Sequence, residues 1–263
     1  MSRFKLNRRK FLTVGAAGAA GAALTGCDVF DPMLRSGHPV RDFMIGANGL
    51  TEAVQRTLMG RDSMAKEFSE SEIRQGMRPN GSTNPNTMEY MFLSQGNFSL
   101  YHLEVDGLVE SPMRFNLEEL RNMPSRTQIT RHDCVEGWSC IAKWTGVPLG
   151  HILEQVQPQA NANYAVFHCF DVMGVGLSGE IPYYESIDMI DAYHPQTILA
   201  YGMNDAVLPV ENGAPLRLRV ERQLGYKMAK YVYRIELVES FSHLHRGNGS
   251  YWADHGYEWY AGI

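Results

Sequence analysis

Apolar and polar residues alternate along several stretches of this chain, and each alternation predicts a strand. Tyr101, Leu103 and Val105 interleave with His102, Glu104 and Asp106 at the period of a half-buried strand, and Asp106-Gly107 supplies a turn. Thr127 to Thr130 predicts a strand leading into Arg131-His132-Asp133-Cys134. Tyr164 to Phe170 reads as a buried strand that carries Cys169, with His168 on the other sheet face. Ile198 to Gly202 leads to a hairpin-like turn at Asn204-Asp205. Leu216, Leu218 and Val220 alternate with Arg217, Arg219 and Glu221, which gives one apolar face and turns Arg217 away from it. Tyr231, Tyr233, Ile235 and Leu237 mark a last strand.

Helical signals are fewer and shorter. Leu50 to Met59 has helical periodicity with Thr51 as a cap, and Ser69 to Ile73 predicts a short helix. Asn116 caps Leu117 to Arg121, where Glu118 and Glu119 lie in the first turn and suit the helix dipole. Pro148 opens a helix to about Val156, and Ile187 to Ala192 reads as helical. Arg78-Pro79-Asn80-Gly81 and Asn84-Pro85-Asn86 are turns. The pattern is that of a β-rich α+β protein. Its tail, Ser240 to Ile263, is rich in aromatics and glycine and is expected to strap the core. His243 and His245 in that tail have no third metal ligand at suitable spacing.

The first 27 residues read as an address. Asn7-Arg8-Arg9-Lys10-Phe11-Leu12 resembles a twin-arginine export signal and is followed by a soft apolar run from Val14 to Leu24. Leu24-Thr25-Gly26-Cys27 resembles a lipobox, which makes Cys27 a lipid anchor; a plain signal cleaved nearby is the alternative. The expected organisation is a leader over 1–27, an arm over 28–99 and a core over 100–263, with arm and core forming one globular unit. The leader holds five Lys or Arg and no acid, so the remainder carries 19 basic against 29 acidic side chains, a net charge of −10. That balance argues against a nucleic-acid partner, whose phosphates need a basic face. The expected location is periplasmic, with a possible membrane anchor.

Candidate chemistry centres on Arg131 to Trp144, RHDCVEGWSCIAKW. Cys134 sits between Asp133 and Glu136, at the end of a strand, where support is rigid and the side chain is presented to a loop. A thiolate there would be a soft ligand for a thiophilic metal. The alternatives are a half-buried cysteine and a disulfide with Cys140. Three cysteines remain after the leader, an odd number that leaves at least one free or ligated.

Cys134-Val135-Glu136-Gly137-Trp138-Ser139 resembles the molybdenum-binding segment of the sulfite oxidase superfamily, in its methionine-sulfoxide reductase branch. Glu211-Asn212-Gly213-Ala214-Pro215-Leu216-Arg217 is similar to that family's Asn-Gly-Ala-Pro-x-Arg. Gly225-Tyr226-Lys227-Met228-Ala229-Lys230 is similar to its Gly-(Tyr/Phe)-Lys-x-x-Lys. The match runs from about Tyr101 to Ser240. It implies a mixed, β-rich, sulfite-oxidase-type molybdopterin-binding fold of one domain. It further implies a Mo-molybdopterin cofactor with Cys134 on the metal and Asn212, Arg217 and Met228-Ala229-Lys230 on the pterin and its phosphate. Lys227 and Lys230 together would offer positive charge to that phosphate. Cys169 falls near a family threonine that contacts the cofactor, so it is either a contact or a core cysteine. Asn80 is the candidate for the family's N-terminal asparagine.

The resemblance implies oxygen-atom transfer with a small-molecule substrate. Electrons would pass through a membrane haem protein or cytochrome, since this chain shows no second redox site. Glu136 and Trp138 after the cysteine disfavour an anionic sulfite and favour a neutral oxide such as a sulfoxide. Sulfite-type oxidation, or a non-catalytic lipoprotein that keeps the fold as a binding module, are the alternatives.

Overall fold

The computed structural model describes residues 62–74, 76–176 and 179–263, together with Pro39, Gly49, Leu50, Ala53, Val54 and Gly60. The twin-arginine motif, the Cys27 lipobox and most of the helix expected over Leu50 to Met59 lie outside the described residues. By compactness the chain divides into units Met1–Val54 and Gln55–Ile263, and all elements named here belong to the second.

In the arm, Ser69 and Glu72 form a capping box around a single 3-10 turn, Glu70–Glu72, where a short helix was expected. The flanking backbone runs beside the next sheet: Phe68 N donates to Ile129 O at 2.9 Å and Arg74 N to Ile141 O at 3.1 Å. Helix α1 (Met88–Gln95), capped by Thr87, had no signal in the sequence pattern because its apolar residues surround the axis and only Tyr90 is buried.

Strand β1 (His102–Gly107) follows its predicted alternation, with Leu103 and Val105 fully buried. β2 (Met113–Asn116) pairs antiparallel with it and delivers Asn116 to the cap of α2 (Leu117–Asn122). The capping is reciprocal: Glu119 N donates to Asn116 Oδ1 at 2.9 Å, and Asn116 N to Glu119 Oε2 at 2.8 Å. β3 (Arg126–Cys134) and β4 (Trp138–Pro148) form a hairpin in which Cys134 faces Trp138. α3 (Leu149–Val156) buries Leu149, Ile152, Leu153 and Val156. β5 (Tyr164–Gly176) outruns its predicted length and pairs with β6 (Gly179–Asp188). α4 (Met189–Ala192) begins two residues later than expected because Asp188 is its cap.

β7 (Ile198–Met203) and β8 (Ala206–Val207) are joined at Asn204-Asp205, whose φ values of 49° and 61° suit the tight turn of a two-residue hairpin. β9 (Arg217–Arg219) pairs with β7, β10 (Val232–Val238) lies parallel to β1, and α5 (Tyr251–Asp254) falls in the tail.

One sheet has the order β2-β1-β10-β5-β6; the other runs β3-β4-β7-β8, with β9 added on β7. Between them a core joins Leu103, Phe167 and Ile235 of the first sheet, Leu199 and Leu218 of the second, and Ile152 and Leu153 of α3. Burial of these apolar faces is the main force holding the sheets together. The tail packs on the first sheet as an aromatic strap: Phe241 lies 4.2 Å and Trp259 5.4 Å from Tyr164, centroid to centroid, and Trp259 Nε1 donates to Ser186 Oγ at 2.8 Å.

Candidate functional site

The β3–β4 hairpin fixes Cys134. Nine residue pairs hold the ladder in register from Arg126↔Gly146 to Cys134↔Trp138, so the cysteine sits on the last rigid position before the turn. Gly137 closes that turn at φ 85°, in the left-handed region that glycine adopts without strain. Beside the cysteine, Trp138 Nε1 donates to Glu136 Oε2 at 2.9 Å. Cys134 is half-buried and lines a cleft of about 140 Å³. Asn80, Ser82, Asp171, Met228 and Lys230 line it too, with a wall of Tyr183, Tyr226, Trp252 and Tyr257. Among the described residues Cys134, Cys140 and Cys169 are all free thiols, so the Cys134–Cys140 disulfide is not formed. Burial pushes the Cys134 thiol above its usual value, partly offset by a backbone N–H from Glu136. A thiolate here therefore calls for a cation at the sulfur, and a soft metal is such a cation.

The second and third motifs pack side by side. Leu218 N donates to Ala229 O at 2.8 Å and Tyr231 N to Gly213 O at 3.2 Å, which stitches the two segments side by side. Gly213, at φ 116°, has a backbone conformation that side chains rarely adopt, and it is tightly enclosed: a Cβ there would stand 3.0 Å from Lys230 Cβ and 3.1 Å from Arg217 Cβ. Arg217 is fully buried, and its Nη1 donates to Asn212 O at 2.8 Å. Its Nε and Nη2, and Asn212 Nδ2, have no hydrogen-bond partner among the described residues. Burial, with Arg219 alongside, pulls Arg217 down to about 9. Lys230 Nζ donates to Glu211 O at 3.0 Å and to Ser82 O, and burial with Arg217 nearby pulls it down to about 7.

A buried guanidinium with two idle donors costs several kcal/mol unless an anion or acceptor meets it. Arg219 shows the contrast. It makes two bonds to Glu221, at 2.9 and 2.6 Å, and Nη1 donates to His132 Nδ1 at 2.9 Å. Because guanidinium can only donate, His132 is held as the tautomer protonated on Nε2. Arg217 and Asn212 thus present free donors suited to a phosphate and a heterocycle, and Cys134 presents a sulfur for a metal.

Asn80, Cys134, Met228 and Lys230 share one cleft; Asn212 and Arg217 do not line it, but flank Gly213, which packs on Lys230. Ala229 is in the core and contributes backbone. Two sequence expectations change. Lys227 does not offer free charge: its ammonium is fully buried, paired with Glu185 and donating to Ser186 O at 2.8 Å. The strand around Arg217 does not have a single apolar face, because β9 is buried on both sides; Trp144 lies 5.0 Å under the guanidinium. Cys169 packs in the core, its Sγ 3.8 Å from Phe167 O, and does not line the cleft. The sequence reading missed Asp171 and Ser82. An acid directly after a run predicted to be a buried strand was the available signal for Asp171.

A family model described as an oxidoreductase molybdopterin binding domain matches residues 93–245, a span that contains all three motifs. YedZ1 of Azospira oryzae, whose name assigns it provisionally as a protein-methionine-sulfoxide reductase subunit, is 33% identical over 255 residues, covering 97% of this chain and 87% of that protein. The protein-methionine-sulfoxide reductase catalytic subunit MsrP of Ralstonia nicotianae is 38% identical over 145 residues, 53% of this chain and 44% of that relative, so the match spans less than half its length. Among solved structures, the sulfane dehydrogenase SoxCD from Paracoccus pantotrophus aligns at a TM-score of 0.46 and 23% identity, over 54% of this chain and 39% of that one.

Proposed function

The chain belongs to the oxidoreductase molybdopterin-binding family, and from that premise we propose that it is an exported enzyme that reduces a neutral sulfoxide at a molybdenum held by Cys134. The observation that carries the reading is the pair Arg217 and Asn212, whose buried donors lack partners among the described residues, next to Gly213, which packs on Lys230 of the cleft lined by Cys134. When bound, the cofactor supplies two-electron oxygen-atom exchange; the protein supplies a ligand, orientation and charge. Cys134 gives the metal a sulfur from a rigid strand end. Arg217 and Lys230 meet the phosphate, Asn212 the heterocycle, and the Met228-Ala229-Lys230 backbone and Asn80 close around them.

The cleft's lining selects the substrate class. Glu136, an acid, stands beside Cys134, and four aromatic rings supply the wall. That lining favours a neutral sulfoxide with an apolar substituent over an anion such as sulfite. The relatives' names point the same way. The resemblance of residues 1–27 to a twin-arginine leader with a lipobox supports export and a lipid anchor at Cys27. Electrons would come from a membrane haem protein or cytochrome, and the acidic chain suits a basic carrier.

Metal analysis and pterin fluorescence on the purified protein test this. About one molybdenum and one pterin per chain, with turnover of a sulfoxide by a reduced viologen dye, is the expected result. Absence of both, from an export-competent host fed molybdate, overturns the reading. Turnover of sulfite in place of sulfoxides overturns the assigned direction.

A further inference from the structure

We propose that Asp171 is the acid that protonates the oxygen leaving the substrate, a role that rests on the reading of this protein as a sulfoxide reductase. The reaction sets the requirement. Converting R2S=O to R2S breaks the S–O bond, forms two O–H bonds and releases water. It consumes two electrons, drawn from a reduced one-electron carrier of the haem class, and two protons. The protons must be delivered inside the cleft.

Asp171 meets the geometric demands on such a group. It lies in β5, lines the same cleft as Cys134 and is only 5% exposed. Ser82 Oγ donates to its Oδ2, which fixes the carboxyl plane. Its Oδ1 has no partner, and Asp171 forms no ion pair, among the described residues. Oδ1 is therefore the oxygen free to carry and give up a proton. Burial supports the protonated form, raising Asp171 to about 6. The neighbouring acids stay neutral in that range. Tyr90, Tyr183, Tyr231 and the Cys169 thiol are all pushed upward, chiefly by burial, and stay neutral near pH 6. Lys230, the nearby cation, and the Ser82 hydrogen bond favour the ionised form, but burial outweighs both; Lys230 itself donates to the Ser82 and Glu211 carbonyls. Glu136 also lines the cleft, but its side chain is 48% exposed, accepts from Trp138 and stands 3.8 Å from Arg78 Nη2, so its oxygens are already engaged. In each turnover Asp171 transfers one proton, is reprotonated from water and transfers the second.

The test compares wild type with Asp171→Asn and Asp171→Glu, each with molybdenum and pterin measured per chain. For Asp171→Asn the expected result is full cofactor content, KM within about twofold, and kcat lower by on the order of 100-fold or more, the usual span for a lost general acid. Wild-type kcat should fall as pH rises past about 6, Asp171→Asn should lack that limb, and Asp171→Glu should restore part of both. Infrared titration of the wild type should show a protonated carboxyl band lost near pH 6 and missing in Asp171→Asn. An unchanged kcat and pH profile in Asp171→Asn overturns the proposal, as does loss of cofactor from both variants, which would make Asp171 part of the cofactor site. A wild type holding molybdenum and pterin that reduces no sulfoxide overturns instead the reading on which the proposal rests.

Discussion

At the scale of the residue, the decisive feature is the buried charge of Arg217. An ordinary buried arginine is matched by a carboxylate, as Arg219 is by Glu221. Arg217 lies two residues away without such a partner among the described residues, and only its ligand can balance it. Arg217→Met should therefore act in opposite senses on two forms. Thermal unfolding of cofactor-free protein should show a gain of about 1–4 kcal/mol, as when buried ions are replaced by apolar side chains. Protein made in a molybdenum-replete host should retain at most a small fraction of its pterin. Cys134→Ser should separate metal chemistry from pterin binding: pterin fluorescence stays near the wild-type level and turnover disappears. Retained turnover would remove Cys134 from the metal. Neither the tight packing of Cys169 nor the idle oxygen of Asp171 was visible in residue type alone, because each depends on what stands across the sheet.

Elements carry these residues only through close backbone approaches. At Gly146, where the β4–β7 ladder shifts register, a Cβ would stand 2.2 Å from Leu199 O and 2.6 Å from Ala200 Cα. Backbone cannot rotate aside as a flexible side chain can. Gly146→Ala should therefore separate β4 from β7 and destabilise the protein by about 1–3 kcal/mol, read as a lower urea midpoint at unchanged slope. Strands with clean alternation, such as β1, and capped helices, such as α2, were legible in the sequence. Strand β4 was not: Cys140, Ala142 and Trp144 point inward, but Ile141 and the small Gly146 obscure the period. β6 was missed for a related reason, since Pro182 interrupts a run whose second half is buried on both faces.

For the molecule as a whole, buried titratable groups set the pH dependence of folding. Asp171, raised to about 6, keeps its proton in the folded chain at pH values where an unfolded aspartate, near 4, has released it. The folded state then binds more protons, so this group's contribution to the stability of the cofactor-free protein falls as pH rises from about 4 to 6. Lys230, lowered to about 7, has released its proton in the folded chain while the unfolded lysine still holds one, so its contribution rises with pH between about 7 and 10. Urea unfolding across pH should show the first trend in wild type and not in Asp171→Asn. The same trend in both would place its origin elsewhere.

Local chemistry was determined by the sequence itself. Strand periods, helix caps, the Asn204-Asp205 turn and three ordered motifs depend on neighbours within a few residues, and they led to the fold class, the family and Cys134 at a strand end. Tertiary structure alone decided which cations are matched by a carboxylate and which, among the described residues, are not. Lys227 and Lys230 stand three residues apart in one motif, yet Lys227 closes an ion pair with Glu185 on β6 while Lys230 faces the cleft. Arg217 and Arg219 share one short strand, yet Glu221 satisfies only Arg219. The energy of a buried charge depends on partners brought in from distant strands, and no spacing along the chain encodes which of them arrive.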